Sequence, residues 1–167
     1  CTVNTLSAHI KKATAFGNNV DMIIVDYADI MRDVGKSTEM RHALGNIYED
    51  LRGLAGEVQI PIWTASQANR SALEEDVIEA NKVAESYAKI MTADFVMSLS
   101  RKTEDKRADT GRVHVIKNRF GPDGMTFPAN VNTNNGSIKV YESTTDDGKQ
   151  QQKKIDNHQE FVRKSLA

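Results

Sequence analysis

The chain has 167 residues, a length that suits one domain, and 39% of them are hydrophobic and 27% charged, an ordinary globular balance. Its 22 basic and 23 acidic residues leave a net charge of −1, so the overall charge decides nothing about nucleic acid as a partner. The single cysteine, Cys1, excludes an internal disulfide and points to a reducing cytoplasm, and no apolar run approaches the roughly 20 residues of a membrane-crossing helix.

Val3, Leu6, Ile10 and Ala13 repeat at helical spacing, and Gly17-Asn18-Asn19 ends that helix. Val20–Val25 is nearly continuous in apolar residues, as in a buried parallel strand, and stops at Asp26. Met40, Leu44, Ile47, Leu51 and Leu54 form a second helical stripe. Ile60–Ala65 reads as another buried strand, Ser66–Asp76 as a loop and Ile78–Met91 as a weaker helix. Asp94–Leu99 is a third strand, the charged stretch Arg101–Thr110 a surface loop and Arg112–Lys117 a fourth strand. Gly121-Pro122-Asp123-Gly124 is a turn, after which Thr126–Val131 and Ile138–Tyr141 pair across Asn132–Gly136. From Glu142 the chain is polar and is expected to be a mobile tail, with helical character near Phe161. The predicted class is α/β, with a mostly parallel sheet, flanking helices and a C-terminal antiparallel hairpin extension. Met22–Val25, Ile62–Ala65 and Phe95–Leu99 are expected to be parallel neighbours, because helix-length crossovers join them. Trp63 and Phe95 are expected in the core.

Ligands of open α/β sheets sit at the carboxyl ends of the strands. Asp26 closes one strand there, where a carboxylate can hold the shell of a Mg²⁺ ion bound to nucleotide, although a turn-forming Asp after a strand is also common. Gln67 ends the next strand, and its amide can donate to a phosphate oxygen and accept from a loop, or merely cap the strand. Lys117 and Arg119 are alternate residues before a turn, placed to reach a neighbour's γ-phosphate or to stand as two solvated cations. Gly35-Lys36-Ser37-Thr38 imitates the end of a phosphate-binding loop, but the Gly needed five residues earlier is Ile30. Amides beside Lys36 at a helix start could still bind a phosphate, such as one of DNA, or form an ordinary helix start capped by Ser37 or Thr38. His9, His42, His114 and His158 are scattered and offer no metal-ligand spacing.

Ile23-Ile24-Val25-Asp26-Tyr27, Ile60–Ser71, Ala93-Asp94-Phe95-Val96-Met97 and Lys117–Pro122 form an ordered set. Over residues 2–141 it resembles the second half of the motor domain of DnaB-like replicative DNA helicases, those of T-even phages included. The Asp26-Tyr27 pair and Ser66-Gln67-Ala68-Asn69-Arg70-Ser71 carry most of the likeness. The resemblance implies a RecA-like fold and an ATP- and Mg²⁺-dependent hydrolase of DNA replication that unwinds duplex while translocating on single-stranded DNA. It implies that Asp26 is the Walker B acid and metal residue, that Gln67 is the phosphate sensor, and that Lys117 and Arg119 act in trans, the latter as an arginine finger. The loops around Arg32–Arg41 and Asn69–Ser86 look like loops that grip single-stranded DNA, with Arg32, Lys36 and Arg70 as phosphate contacts. A homo-hexameric ring is implied as well, with primase and a helicase loader as further partners, no membrane, and a cytoplasmic location, in a host's cytoplasm for a phage protein.

Departures accompany the likeness. No Walker A precedes Asp26, the family's catalytic glutamate falls upstream of the matched segment, Phe120 stands where bacterial relatives carry a polar residue, and the second DNA loop contains Glu74, Glu75 and Asp76. A start at Cys1 directly before an amphipathic pattern suggests a fragment or processed product, an intein or gene-split junction included. The expected division is 1–141 as the C-terminal part of a motor domain and 142–167 as the tail, with no ATP turnover by the chain alone. Two other readings stay open: a RecA-like recombinase fragment, which shares the Asp26 and Gln67 logic but forms filaments, and a non-catalytic interaction domain.

Overall fold

The computed structural model describes residues 1–35, 37, 39–69, 72, 75–80 and 87–165. They divide into two compact units, Cys1–Gln67 with Val83–Ala93, and Ala68–Lys82 with Asp94–Ala167.

In the first unit, α1 (Val3–Ala15) begins at Thr2, whose hydroxyl accepts the Thr5 N–H at 3.2 Å, and ends where Gly17 adopts φ +80°. The second helical stripe becomes α2 (Met40–Val58), in which Leu44, Ile47, Tyr48, Leu51 and Leu54 are buried at three- and four-residue spacing. Strands β1 (Ile23–Val25) and β2 (Ile62–Thr64) pair in parallel, Ile23 opposite Ile62 and Val25 opposite Thr64. Ile23 joins the core of Val3, Ile10, Ile47, Tyr48, Leu51 and Leu54, with Val25 and Ile62 packed against it. Alternate strand residues point to opposite faces. Ile24 and Trp63 therefore face away from that core, and Trp63, expected inside, is 43% exposed. The weak helix expected over Ile78–Met91 is described only as α3 (Tyr87–Thr92), which Arg52 ties to α2 by donating to the Thr92 carbonyl at 2.7 Å.

The second unit holds a four-stranded antiparallel sheet in the order β3 (Phe95–Ser100), β4 (Thr110–Asn118), β5 (Thr126–Asn132), β6 (Ser137–Val140). The hairpin extension is as expected, with Gly124 and Gly136 at positive φ in its turns. The expected parallel pairing of Phe95–Leu99 is not: β3 is hydrogen-bonded antiparallel to β4, Phe95 opposite Asn118 and Ser100 opposite Arg112. Phe95 is half-buried and Leu99 and Met97 are exposed, whereas Ser98 and Ser100 are buried. The serine hydroxyls donate to the Ile78 and Asp76 carbonyls at 2.8 and 2.6 Å, which satisfies groups otherwise costly to bury.

The segment expected to be a surface loop contains a helix, and the tail, expected to be helical only near Phe161, is helical over most of its length. Within Arg101–Thr110 lies α4 (Thr103–Ala108), whose Asp105 carboxylate accepts the Lys102 N–H at 2.9 Å and so caps the helix start. Residues 142–167 carry α5 (Asp146–Ser165), anchored by a fully buried Ile155 and by the Gln151 amide donating to the Ala129 carbonyl at 3.0 Å. Among the described residues no helix is long and apolar enough to cross a membrane.

Candidate functional site

Parallel pairing puts the carboxyl ends of β1 and β2 side by side; Asp26 directly follows the first, whereas Gln67, expected to end the second, lies beyond its last residue, Thr64. Asp26 follows Val25 directly, its side chain exposed and without a hydrogen bond or ion pair among the described residues. Thr64, the last residue of β2, fixes the backbone on either side of it. Its hydroxyl donates to the Val25 carbonyl at 2.9 Å and accepts the Ala28 N–H at 2.9 Å. Asp26 and Tyr27, joined by a cis peptide, are thus held between two anchors on the neighbouring strand. Gln67 is exposed three residues beyond Thr64, and its amide donates to the Tyr27 hydroxyl at 3.5 Å, a long bond that nonetheless brings the two strand ends together. An exposed carboxylate and a neutral amide at adjacent parallel strand ends suit a hydrated divalent ion and a phosphate oxygen respectively.

Beneath them lies a charged cluster that spacing alone did not reveal. Lys89 in α3 is 3% exposed, and its Nζ stands 2.9 Å from Asp29 Oδ2 and donates to Ser66 Oγ at 3.1 Å. Ser66 in turn donates to Asp29 Oδ2 at 2.9 Å, and the Tyr48 hydroxyl donates to Asp29 Oδ1 at 2.8 Å. The ammonium also lies 5.6 Å from the centre of the Tyr48 ring. Burial, together with the Asp29 carboxylate it bonds, pushes the Tyr48 phenol well above its ordinary value, so it stays a donor. No pattern in the sequence connects residues 29, 48, 66 and 89, which come from a 3-10 turn (Ala28–Ile30), α2, the segment after β2 and α3.

Lys117 and Arg119 belong to the second unit. Lys117 is the penultimate residue of β4, opposite Val96, and Arg119 is the first residue after the strand. The Arg119 N–H donates to the Asp94 carbonyl at 2.9 Å, and its Nη1 lies 2.7 Å from Asp94 Oδ1, with both side chains about two-fifths exposed (43% and 41%). Phe120, next in the turn, is 82% exposed.

Of the three cations expected on DNA, Arg32 is exposed, while Lys36 and Arg70 lie outside the described residues. The amides of Gly35 and Ser37, in the stretch that imitates a phosphate loop, are engaged within the chain. They donate to the Asp33 carboxylate at 2.9 and 3.1 Å, and Asn46 donates to it at 3.1 Å. The two backbone bonds chiefly, with the Asn46 amide, hold the Asp33 carboxyl below its ordinary value of 3.8. An internal anion thus occupies the donors that a phosphate would need. In the acidic loop, Asp76 is drawn into the second unit by Lys102 at 3.0 Å, Arg112 at 3.5 Å and Gln159 at 2.9 Å.

Comparison with known proteins follows the same lines. Residues 1–133 match the model of the DnaB-like helicase C terminal domain. The DnaB-like replicative helicase of Enterobacteria phage T4 is 33% identical over 107 residues, which are 60% of this chain and 22% of that protein. The replicative DNA helicase DnaB of Haemophilus influenzae is 32% identical over 111 residues, 63% of this chain and 24% of that protein. Among solved structures, one ATPase domain superposes with a TM-score of 0.72 at 21% identity, covering 84% of this chain and 52% of that one. A DnaB-like replicative helicase studied for its interactions with primase gives the same score and identity and is covered to 35%. The chain spans about a quarter of the length of the two sequence relatives, and the fold is that of DnaB-like helicase ATPase domains. With most of its length matched, the chain belongs to the DnaB-like helicase C-terminal domain family.

Proposed function

We propose that this chain is the C-terminal part of an ATP-driven motor that translocates on single-stranded DNA and unwinds duplex as a homo-hexameric ring during replication. The observation that carries the proposal is the placement of Asp26 and Gln67 just beyond the carboxyl ends of two adjacent parallel strands, with the Gln67 amide on the Tyr27 hydroxyl. In this reading Asp26 holds the hydrated Mg²⁺ of the nucleotide, and its exposed carboxylate, without a partner among the described residues, fits that task. Held there, such an ion would supply neutralisation of the charge developing on the phosphates. Gln67 senses the γ-phosphate and passes its state to the segment that follows. Lys117 and Arg119 act on a neighbouring subunit's nucleotide, Arg119 as an arginine finger. Arg32, Lys36 and Arg70 grip DNA phosphates. Primase is a candidate partner because one structural neighbour was studied for its interactions with primase, and a helicase loader is a further candidate. A cytoplasmic location goes with this reading.

The chain alone is expected not to turn over ATP. Ile30 breaks the phosphate-loop pattern, and Asp33 occupies the Gly35 and Ser37 amides. Steady-state phosphate release by the 167-residue chain should therefore equal that of its Asp26→Asn variant. Release clearly above that control contradicts the reading.

A further inference from the structure

We propose that Asp33 and Asn46 are positioning residues: together they clasp the loop after β1 and hold Arg32 pre-set for a phosphate of single-stranded DNA. This deepens the proposed function and rests on Arg32 as a DNA contact.

Four observations, all within the first unit, carry it. First, Met31 packs against the core and the Arg32 N–H donates to the Cys1 carbonyl at 2.9 Å, which fixes the backbone on the amino side of Arg32. Second, on the other side, the Asp33 carboxylate accepts the Gly35 N–H at 2.9 Å, the Ser37 N–H at 3.1 Å and the Asn46 amide at 3.1 Å. Asn46 also donates to Ser37 Oγ at 3.1 Å, and it stands in α2 between the buried Gly45 and Ile47, so the clasp is rooted in a core helix. Third, a Cβ at Gly35 would lie 3.3 Å from Asp33 Oδ1 and 3.5 Å from Asn46 Nδ2, so a side chain there would crowd the clasp. Fourth, between these anchored residues the Arg32 side chain is exposed and has no ion pair among the described residues.

Charge alone makes Asp33 a liability in such a loop. A carboxylate beside a cation that meets phosphates repels the strand and weakens the electrostatic attraction on which backbone binding depends. The Gly35 and Ser37 amides hold its carboxyl below the ordinary value, so the charge persists. Order offsets that loss. A loop and a long side chain that are already placed give up less freedom on binding than unrestrained ones. With its own anion on the Gly35 and Ser37 amides, the loop leaves the phosphate to the guanidinium.

The test uses the opposite signs of the two effects. Affinity of the complete helicase for a fluorescent single-stranded oligonucleotide is titrated at several salt concentrations. If Asp33 acts by charge alone, Asp33→Ala tightens binding; positioning predicts that it weakens binding by about 3- to 10-fold, the effect of ordering one or two long side chains. Asn46→Ala, which leaves the net charge unchanged, should weaken binding by a similar factor. Both variants should flatten the dependence of log affinity on log salt, as Arg32→Ala does, by about 0.7 for one lost phosphate contact, a readout that a merely structural role does not move. In an Arg32→Ala background neither substitution should have a further effect. Tighter or unchanged binding by either clasp variant, with Arg32→Ala weakening it, overturns the proposal and leaves Arg32 standing as a DNA contact. Losses that add fully to that of Arg32→Ala place the clasp's effect elsewhere than Arg32 and also overturn it. Unchanged binding by Arg32→Ala overturns the contact reading and the proposal together.

Discussion

Arg119→Ala in the complete helicase is expected to cut DNA-stimulated ATP hydrolysis by about 10³-fold or more, the typical loss when an arginine finger is removed. Nucleotide binding at the altered subunit's own site should be nearly unchanged, as read by equilibrium titration. Arg119 stands just past the end of β4, and its guanidinium is paired with Asp94 at 2.7 Å. With both side chains about two-fifths exposed (43% and 41%), the pair is worth roughly 0–1 kcal/mol. That is small against the charge of a transferring phosphoryl group, so Asp94 can park the guanidinium and release it. The same magnitude limits the structural cost of Arg119→Ala, and the urea midpoint should move little. A large drop in stability with turnover otherwise intact would assign Arg119 to the fold.

The largest stability effect is expected at Arg112→Met. Asp105 is 1% exposed and accepts from Thr110 Oγ1 at 2.7 Å, the Lys102 N–H at 2.9 Å and Arg112 Nη1 at 2.9 Å. Removing the guanidinium leaves a buried carboxylate with neutral donors alone, a loss of about 3–5 kcal/mol for broken buried pairs. Amide hydrogen exchange in β4 and β5 should quicken accordingly, and wild-type protection there would contradict the account. Acid should act on the same network. Burial opposes the charged form of Asp105, but the Thr110 and Lys102 hydrogen bonds and the Arg112 charge outweigh it and hold the carboxyl below 3.8. A depressed folded value means that the contribution is complete above the unfolded value and is lost as pH falls through the folded one. Protection of β4 and β5 should be steady at neutral pH and decline below about pH 4.

How far the sequence could be read depended on which signal each element left. The apolar runs ending at Asp26 and near Gln67 marked the two parallel strands, although only alternate residues of each face the core, and α1 and α2 announced themselves by buried residues at helical spacing. The antiparallel hairpin was legible from turn residues, two of which are glycines at positive φ. β3 misled because Phe95–Leu99 looks like a run buried on both faces, whereas the burial of Ser98 and Ser100 beside exposed Met97 and Leu99 reverses the usual alternation. That reversal depends on carbonyls of Asp76 and Ile78, which pattern cannot anticipate. α4 and α5 carry too few apolar residues to show a stripe: one is set by the Asp105 cap, the other by Ile155 and a glutamine on a strand carbonyl. The Asp29–Lys89 pair was hidden for a different reason, since its partners are brought together by tertiary packing alone.

The central claim, that Asp26 and Arg119 complete one catalytic site across a subunit interface, is tested most directly in rings built from covalently linked dimers. In one arrangement, the first subunit of each dimer carries Arg119→Ala and the second carries Asp26→Asn. In the other, both substitutions sit on the first subunit and the second is unaltered. If Arg119 acts on a neighbour, the first arrangement puts both lesions at the same interface and leaves alternate interfaces intact, so DNA-stimulated hydrolysis persists; the second arrangement damages every interface, and hydrolysis is lost. Hydrolysis in the second arrangement and none in the first would show that Arg119 serves its own subunit's site and would contradict the account.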